Sequence, residues 1–509
     1  MAFKKIYVGK DMRDKLVLGV NKLANIVGST IGPLGRDVII NNNGSLPSVT
    51  NDGITVASAF NLEDEVENLG VEIVRSISAK TNEQAGDGTT TSCILADSML
   101  KLGCEYLDKN NNTNPINIKK GMQLAVDNAN EIINSISKPL ENYEDFYNIA
   151  RISANNDNEI GKMIADTYVK IGKNGILTVE RVHSNETFVE IQDGYKISSG
   201  FLPVSTITDK IKNIIEYKNG VHIMLCPNKL ELSKDLYEKV LPLANSKENL
   251  ESVLIVCSNI DEDVINLIRS NKLRVCLISW PGVEGHQNDL FEDLSVYIDA
   301  KPIYNSNVIG YCDSFKSEHN KTVLINGKGT KESIEERIEI LKLRLDDKKP
   351  KYHNMGLLDR IGYLSAKIAI MHLGAKSLIE RGELYDRVED AVKAVKSSIE
   401  LGILPGASYT FIKLYNELKC TDKNKDIING FNIVKKSLIE PFNKICKNAG
   451  INSKSILKNI DNQIYDVKNN KYMKLEDCNI YDPANVIKMS IQNAVSVTSM
   501  ILLSDSLIF

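Results

Sequence analysis

The chain has 509 residues, a net charge of −4, 42% hydrophobic and 25% charged residues. That length exceeds what one hydrophobic core serves, so about two to four domains are expected, and the near-neutral charge excludes a strong pull toward nucleic acid or a membrane surface. The nine cysteines fall in no C-x-x-C or metal-type spacing and no leader-like segment is read, which points to a reducing compartment. No apolar run is read as long enough to span a bilayer.

Residues 3–9 alternate like a short strand, and Asp11 opens a helix to Ile26 with an apolar stripe of Leu16, Val20, Leu23, Ala24 and Val27. Gly28-Ser29-Thr30-Ile31-Gly32-Pro33-Leu34-Gly35 then leads into a strand at 38–40. A helix precedes these glycines, so they match neither Walker A nor the dinucleotide fingerprint, which need a strand there. In residues 49–56, Asp52-Gly53 between alternating apolar residues predicts a tight hairpin turn with Asp52 at its tip. Helices are expected from there to about 136, with 63–81 a long amphipathic one.

Ala85-Gly86-Asp87-Gly88-Thr89-Thr90-Thr91 runs directly into an amphipathic helix. The glycines let the backbone approach a ligand, and the N–H groups of a helix start favour an anion. Asp87 would repel a bare phosphate, so a bridging Mg²⁺ is its natural partner. An ordinary capped turn accounts for the same residues equally well.

Lys138-Pro139 marks a boundary, Asp157 caps a following helix, and 175–179 is a strand. From Gly194 short strands at 221–225, 253–256 and 275–278 alternate with helices at 229–244 and 261–270, an α/β pattern that runs to about Pro350. Helical tracts are expected at 364–377 and 384–401 and onward, and 506–509 close the chain as a strand. Helical ends around an α/β middle imply a middle domain inserted into one built by both termini.

Residues 30–35, Asn51-Asp52-Gly53 and 86–91 are followed by Arg387-Val388-Glu389-Asp390-Ala391, Gly402-Ile403-Leu404-Pro405-Gly406-Ala407 and Tyr481-Asp482-Pro483. With these motifs, in this order, the chain resembles the GroEL-type (group I) chaperonins along nearly its whole length. The resemblance implies a multi-domain α+β/α fold. A mainly helical equatorial domain would comprise 1–136 and 401–509, a small α/β intermediate domain 137–193 and 367–400, and an α/β apical domain 194–366. It further implies an ATPase coupled to protein folding, with ATP, Mg²⁺ and K⁺ as an accessory ion. The subunit would form a homo-oligomeric seven-subunit ring, single or double. With no transit segment read, a cytoplasmic setting is expected, the alternatives being an organelle interior after removal of a transit peptide or the cytoplasm of an infected host. Its partners would be unfolded polypeptides and a GroES-type co-chaperonin, with no nucleic acid and no membrane. The alternative is a holdase ring that turns ATP over slowly or not at all.

Carried onto this sequence, the resemblance assigns Thr30, Ile31, Gly32 and Pro33, with Gly88, Thr89, Thr90 and Thr91, to the phosphates. It assigns Asp87 to Mg²⁺, and Asp52 and Asp390 to positioning the attacking water, Asp390 arriving on domain closure. On residue pattern alone Asp390 reads as a solvated carboxylate at a helix start. Asn51, Gly406, Ala407, Asp466 and Asp482 complete the nucleotide site, Asp482 at the ribose or as an N-cap for the helix through Ile487. The sequence departs from the family pattern at Asn51, usually lysine, at Ala407, usually glycine, and at Asp466, usually asparagine. Phe201, Leu202, Leu236, Tyr237, Val240, Leu241, Ile265, Leu267 and Ile268 are expected on an exposed apolar groove for substrate, with core packing as the alternative. Lys425, Asn443 and Asn452 stand where ring–ring charge pairs are usual, so weaker ring pairing is expected.

Overall fold

Apolar stripes of helical period dominate both ends of the chain, and the two ends fold together. The computed structural model describes all residues except 1–4, 42–46, 111, 174, 183, 203–207, 209–213, 227–228, 231–251, 272–273, 281–283, 301–307, 346–350, 461–462, 476–478 and 509. It divides into two units, one made of Met1–Asp166 with Lys376–Phe509, the other of Thr167–Ala375.

In the first unit α1 (Gly9–Val27) buries Leu16, Val20, Leu23, Ala24 and Val27, the stripe read from the sequence, and Met12 with them. After it come α2 (Gly53–Ala59), α3 (Glu65–Ala85), α4 (Thr89–Lys109) and α5 (Pro115–Ile136). Asp64 caps α3 by accepting from the N–H groups of Val66 and Glu67. Asn114 caps α5, whose first residue is the pre-organised Pro115. Two helices from the far end of the chain, Lys425–Ser437 and Ala484–Leu503, pack on α4 and α5. Together they enclose Leu95, Met99, Met122, Ile133, Phe431 and Ile487. Full burial of each such side chain stabilises by ~1.5–3 kcal/mol. The termini also meet as strands: β1 (Ile6–Val8) pairs antiparallel with Ser506–Ile508. A second ribbon joins β2 (Val38–Ile40) to β3 (Ser48–Thr50).

Ala484–Leu503 corrects one reading, because by length and composition this helix could cross a membrane. Its apolar residues are instead core: Ala484, Ile487, Ile491, Ala494, Val495 and Leu502 face the other helices.

The second unit is built on a mixed sheet whose strands run in the order 176–181, 367–373, 188–197, 322–327, 308–317, 221–226, 252–257, 275–279. The last three are parallel. Ser252–Cys257 is buried at every position, as a parallel strand covered on both faces must be. Glu262–Asn271 is the crossover helix to Val275–Ser279. The tract read as helix at 364–377 is a strand, Lys367–Leu373, parallel to Ile176–Arg181 and antiparallel to Phe188–Ile197. Its largely alternating burial and its two isoleucines suit a pleat better than a helix. Asp293, fully buried, is held by Arg337 (Nε–Oδ1 2.7 Å) and Arg360 (Nε–Oδ2 2.6 Å).

The segments expected to form an intermediate domain divide between the units. Helix α6 (Tyr143–Ser153) packs on the helix Leu378–Leu401 in the first unit. The strands Ile176–Arg181, Phe188–Ile197 and Lys367–Leu373 belong to the sheet of the second.

Candidate functional site

Asp52 is not at a hairpin tip. It is the N-cap of α2, accepting from the N–H groups of Ile54 (3.2 Å) and Thr55 (2.9 Å) and from the Thr55 hydroxyl (2.5 Å). Asp-Gly serves either role; here residues 53–59 carry on as helix. A Cβ at Gly53 would lie 2.4 Å from Thr90 Oγ1 and 2.8 Å from Thr89 Oγ1. Only glycine lets α2 begin against the first turn of α4, and this seats Asp52 beside the Asp87 loop.

Asp87 stands between Gly86 (φ +76°) and Gly88 (φ +84°), both in the left-handed region. Its carboxylate accepts from the Gly88 N–H at 2.5 Å. No side chain caps α4, which leaves the first-turn N–H groups of Thr89, Thr90 and Thr91 for an anion. The buried face of Ala484–Leu503 grips this corner with a polar row the sequence reading passed over. Asn485 donates to Gln84 O (3.0 Å), Ser490 to Gly88 O (3.3 Å), and Asn493 to Thr81 Oγ1 and Gln84 Oε1.

The loop after α1 packs on α4 as well. Gly28–Thr30 is a 3-10 turn, and the Thr30 hydroxyl donates to Val27 O (2.8 Å). Thr30 therefore offers a ligand its backbone rather than its hydroxyl proton. Asn448, also unforeseen, latches this loop: its side-chain amide donates to Gly28 O (3.0 Å), Ser29 O (3.3 Å) and Ile31 O (2.9 Å). Gly32 (φ +88°) lies against Ile445 of the same helix as Asn448. Pro33 follows it in the loop.

Asp390 lies well inside the helix Leu378–Leu401, not at its start. Burial, followed by the charge of Asp87, pushes its carboxyl up to about 8; the Lys393 ammonium opposes this and Asp52 adds to it. Burial raises Asp87 too, with the charge of Asp52 adding to it. Asp482 is pushed up to about 7 by burial and then by Asp87. Four carboxylates from four distant stretches thus share one field.

The ribbon Ile403–Pro405 with Tyr481–Pro483 sets Leu404 opposite Asp482, so the two late motifs are zipped together. Pro483, not Asp482, precedes the helix at 484, and no side chain caps it; the N-cap reading of Asp482 does not hold. After Gly406, Ala407 (φ +51°) and Ser408 (φ +61°) take the left-handed conformation with a Cβ, at a cost of ~1–2 kcal/mol each. Asn51 is exposed and brings no charge. Asp466 organises its own turn, accepting from the N–H groups of Lys468 (2.9 Å) and Asn469 (3.1 Å) and from Asn469 Nδ2 (2.6 Å).

The carboxylates are hard oxygen donors of the kind Mg²⁺ takes. Among the described residues no three or more His, Cys, Asp or Glu side chains form a closed metal cage. A Mg²⁺ held here by Asp87 would complete its shell with phosphate oxygens and water, which is its usual habit.

In the second unit the expected substrate residues need correction. Phe201 (8% exposed) and Ile268 (3%) are core side chains, and Leu202 and Leu267 pack against the core under the parallel strands. Ile265 is half-buried. Leu236, Tyr237, Val240 and Leu241 lie outside the described residues.

A helical unit built from both ends of the chain, with an α/β unit inserted between them in sequence, is the architecture of a chaperonin subunit. Residues 23–509 match the TCP-1/cpn60 chaperonin family, and the chain belongs to that family. Two crystal structures of the chaperonin gp146 from the bacteriophage EL 2 (Pseudomonas aeruginosa), both in the presence of ATP-BeFx, share the fold. Their TM-scores are 0.74 and 0.67, each at 19% identity and over 99% of both chains.

Proposed function

We propose that this chain is the subunit of an ATP-driven chaperonin ring that captures unfolded polypeptides and promotes their folding. The observation that carries it is the convergence of Asp52, Asp87, Asp390 and Asp482 at the uncapped start of α4. The first-turn N–H groups of α4 and the 28–32 backbone bind phosphate oxygens. Asp482 and the Gly406–Ala407 turn hold the nucleoside. Asp87 is the protein ligand for Mg²⁺, which when bound offsets the polyphosphate charge and polarises its terminal phosphate. Asp52 and Asp390 orient a water and accept its proton, for which Asp390 must be ionised.

The subunits are proposed to form a seven-membered ring, single or double, with a co-chaperonin as a further partner. ATP hydrolysis and refolding yield, measured on wild type and Asp390→Ala, test the reading. The variant should keep ATP binding and substrate capture while hydrolysis falls by ~10²-fold or more. A wild type that captures unfolded chains without hydrolysing ATP would be a holdase, and one that does neither would end the proposal.

A further inference from the structure

We propose that Lys393 is a phosphate-binding residue of this site, its ammonium exchanging Glu389 for the terminal phosphates of the bound nucleoside triphosphate. This rests on the ATP reading above. Lys393 follows Asp390 by three residues and so shares its helix face. Its stem crosses the loop that carries Asp87: a Cβ at Gly86 would fall 2.5 Å from Lys393 Cβ and 3.2 Å from both Cγ and Cδ. Gly86 is thus left bare by the lysine as well as by its positive φ.

The charge of Lys393 acts on both Asp87 and Asp390, drawing each carboxyl down against burial. Asn51, next to Asp52, contributes none. The partner that Lys393 has in this structure is Glu389, at 3.3 Å, with the side chains 34% and 39% exposed. An exposed i,i+4 pair of this kind is weak, whereas an ammonium on a polyphosphate in a partly desolvated site is a strong, charge-assisted contact. The lysine is therefore placed to leave one for the other when negative charge arrives between α4 and the Asp390 helix.

The test is calorimetric titration of ATP and of AMP, both with Mg²⁺, into the wild type, Lys393→Met and Lys393→Arg. Methionine keeps most of the stem that packs over Gly86 and removes only the charge. Lys393→Met should weaken ATP ~10–100-fold and leave AMP within about twofold, and Lys393→Arg should restore most of the ATP affinity. Unchanged ATP affinity in Lys393→Met overturns the inference. An equal loss for ATP and AMP assigns Lys393 a structural role and overturns it too. A wild type that binds neither nucleotide refutes the ATP reading itself. Should Lys393→Met not fold, Glu389→Gln decides: releasing the lysine should tighten ATP and leave AMP unchanged, and no tightening counts against the proposal.

Discussion

Asp390→Asn should stabilise the nucleotide-free protein, and increasingly so as pH rises. The Asp390 carboxyl is raised from 3.8 to about 8, by burial first and by Asp87 next. Its folded-state pKa lies above its unfolded one, so between about pH 4 and pH 8 the folded chain holds more of this proton than the unfolded chain. The favourable contribution is complete below the unfolded value and is lost as pH climbs through the folded one. At ~1.4 kcal/mol per pKa unit the shift has an upper bound of about 5–6 kcal/mol. Relaxation and water at a half-buried site reduce this to about 2–3 kcal/mol. Urea unfolding of wild type and variant, without nucleotide or Mg²⁺, reads it at pH 5, 6, 7 and 8.5. The two curves should lie closest at pH 5 and separate further above it. A difference that is constant with pH, or largest at pH 5, would refute the coupling of Asp390 to this site.

Ala407→Gly and Ser408→Gly should each stabilise by about 1 kcal/mol, since glycine relieves the left-handed strain, and thermal unfolding should register both; no gain would mean the turn is not strained. Asn448→Ala should free the 28–31 loop and weaken ATP about tenfold, the worth of one or two hydrogen bonds, while the chain stays folded; titration calorimetry that finds wild-type affinity would sink the latch. Asp293→Ala should cost the second unit about 3–5 kcal/mol by leaving Arg337 and Arg360 unpaired, whereas Glu339→Ala, which breaks only the exposed Lys342 pair, should cost under about 0.5 kcal/mol. Comparable urea midpoints for these two variants would contradict the burial assigned to Asp293.

Much of the first unit was legible because its signals are local. The stripe of α1 repeats at helical spacing, and the glycines around Asp87 announce a backbone that must turn left-handed. The strand at the C-terminus also read correctly, although its partner at Ile6–Val8 could not be paired to it from pattern alone. What failed was decided by tertiary context. Asp52-Gly53 is as good a helix start as a hairpin turn, and it is the approach of Thr89 and Thr90 that suits the helix. Lys367–Leu373 carries the apolar density of a helix, but strands on both sides hold it in the pleat. The family resemblance puts Phe201 and Ile268 at a rim, but both are core side chains beside the parallel strands. Lys393 and Asn448 belong to no motif, and their significance rests on Gly86 and on the Gly28–Ile31 carbonyls, which are far away in sequence.

The account depends on carboxylates from remote stretches holding one nucleotide–metal complex, and Mg²⁺-dependent ATP binding tests this most directly. Titration of ATP into the wild type should give tight binding with Mg²⁺ and weak binding in EDTA, and Asp87→Ala should bind weakly in both conditions. Equal affinity with and without Mg²⁺, unaffected by Asp87→Ala, would contradict it.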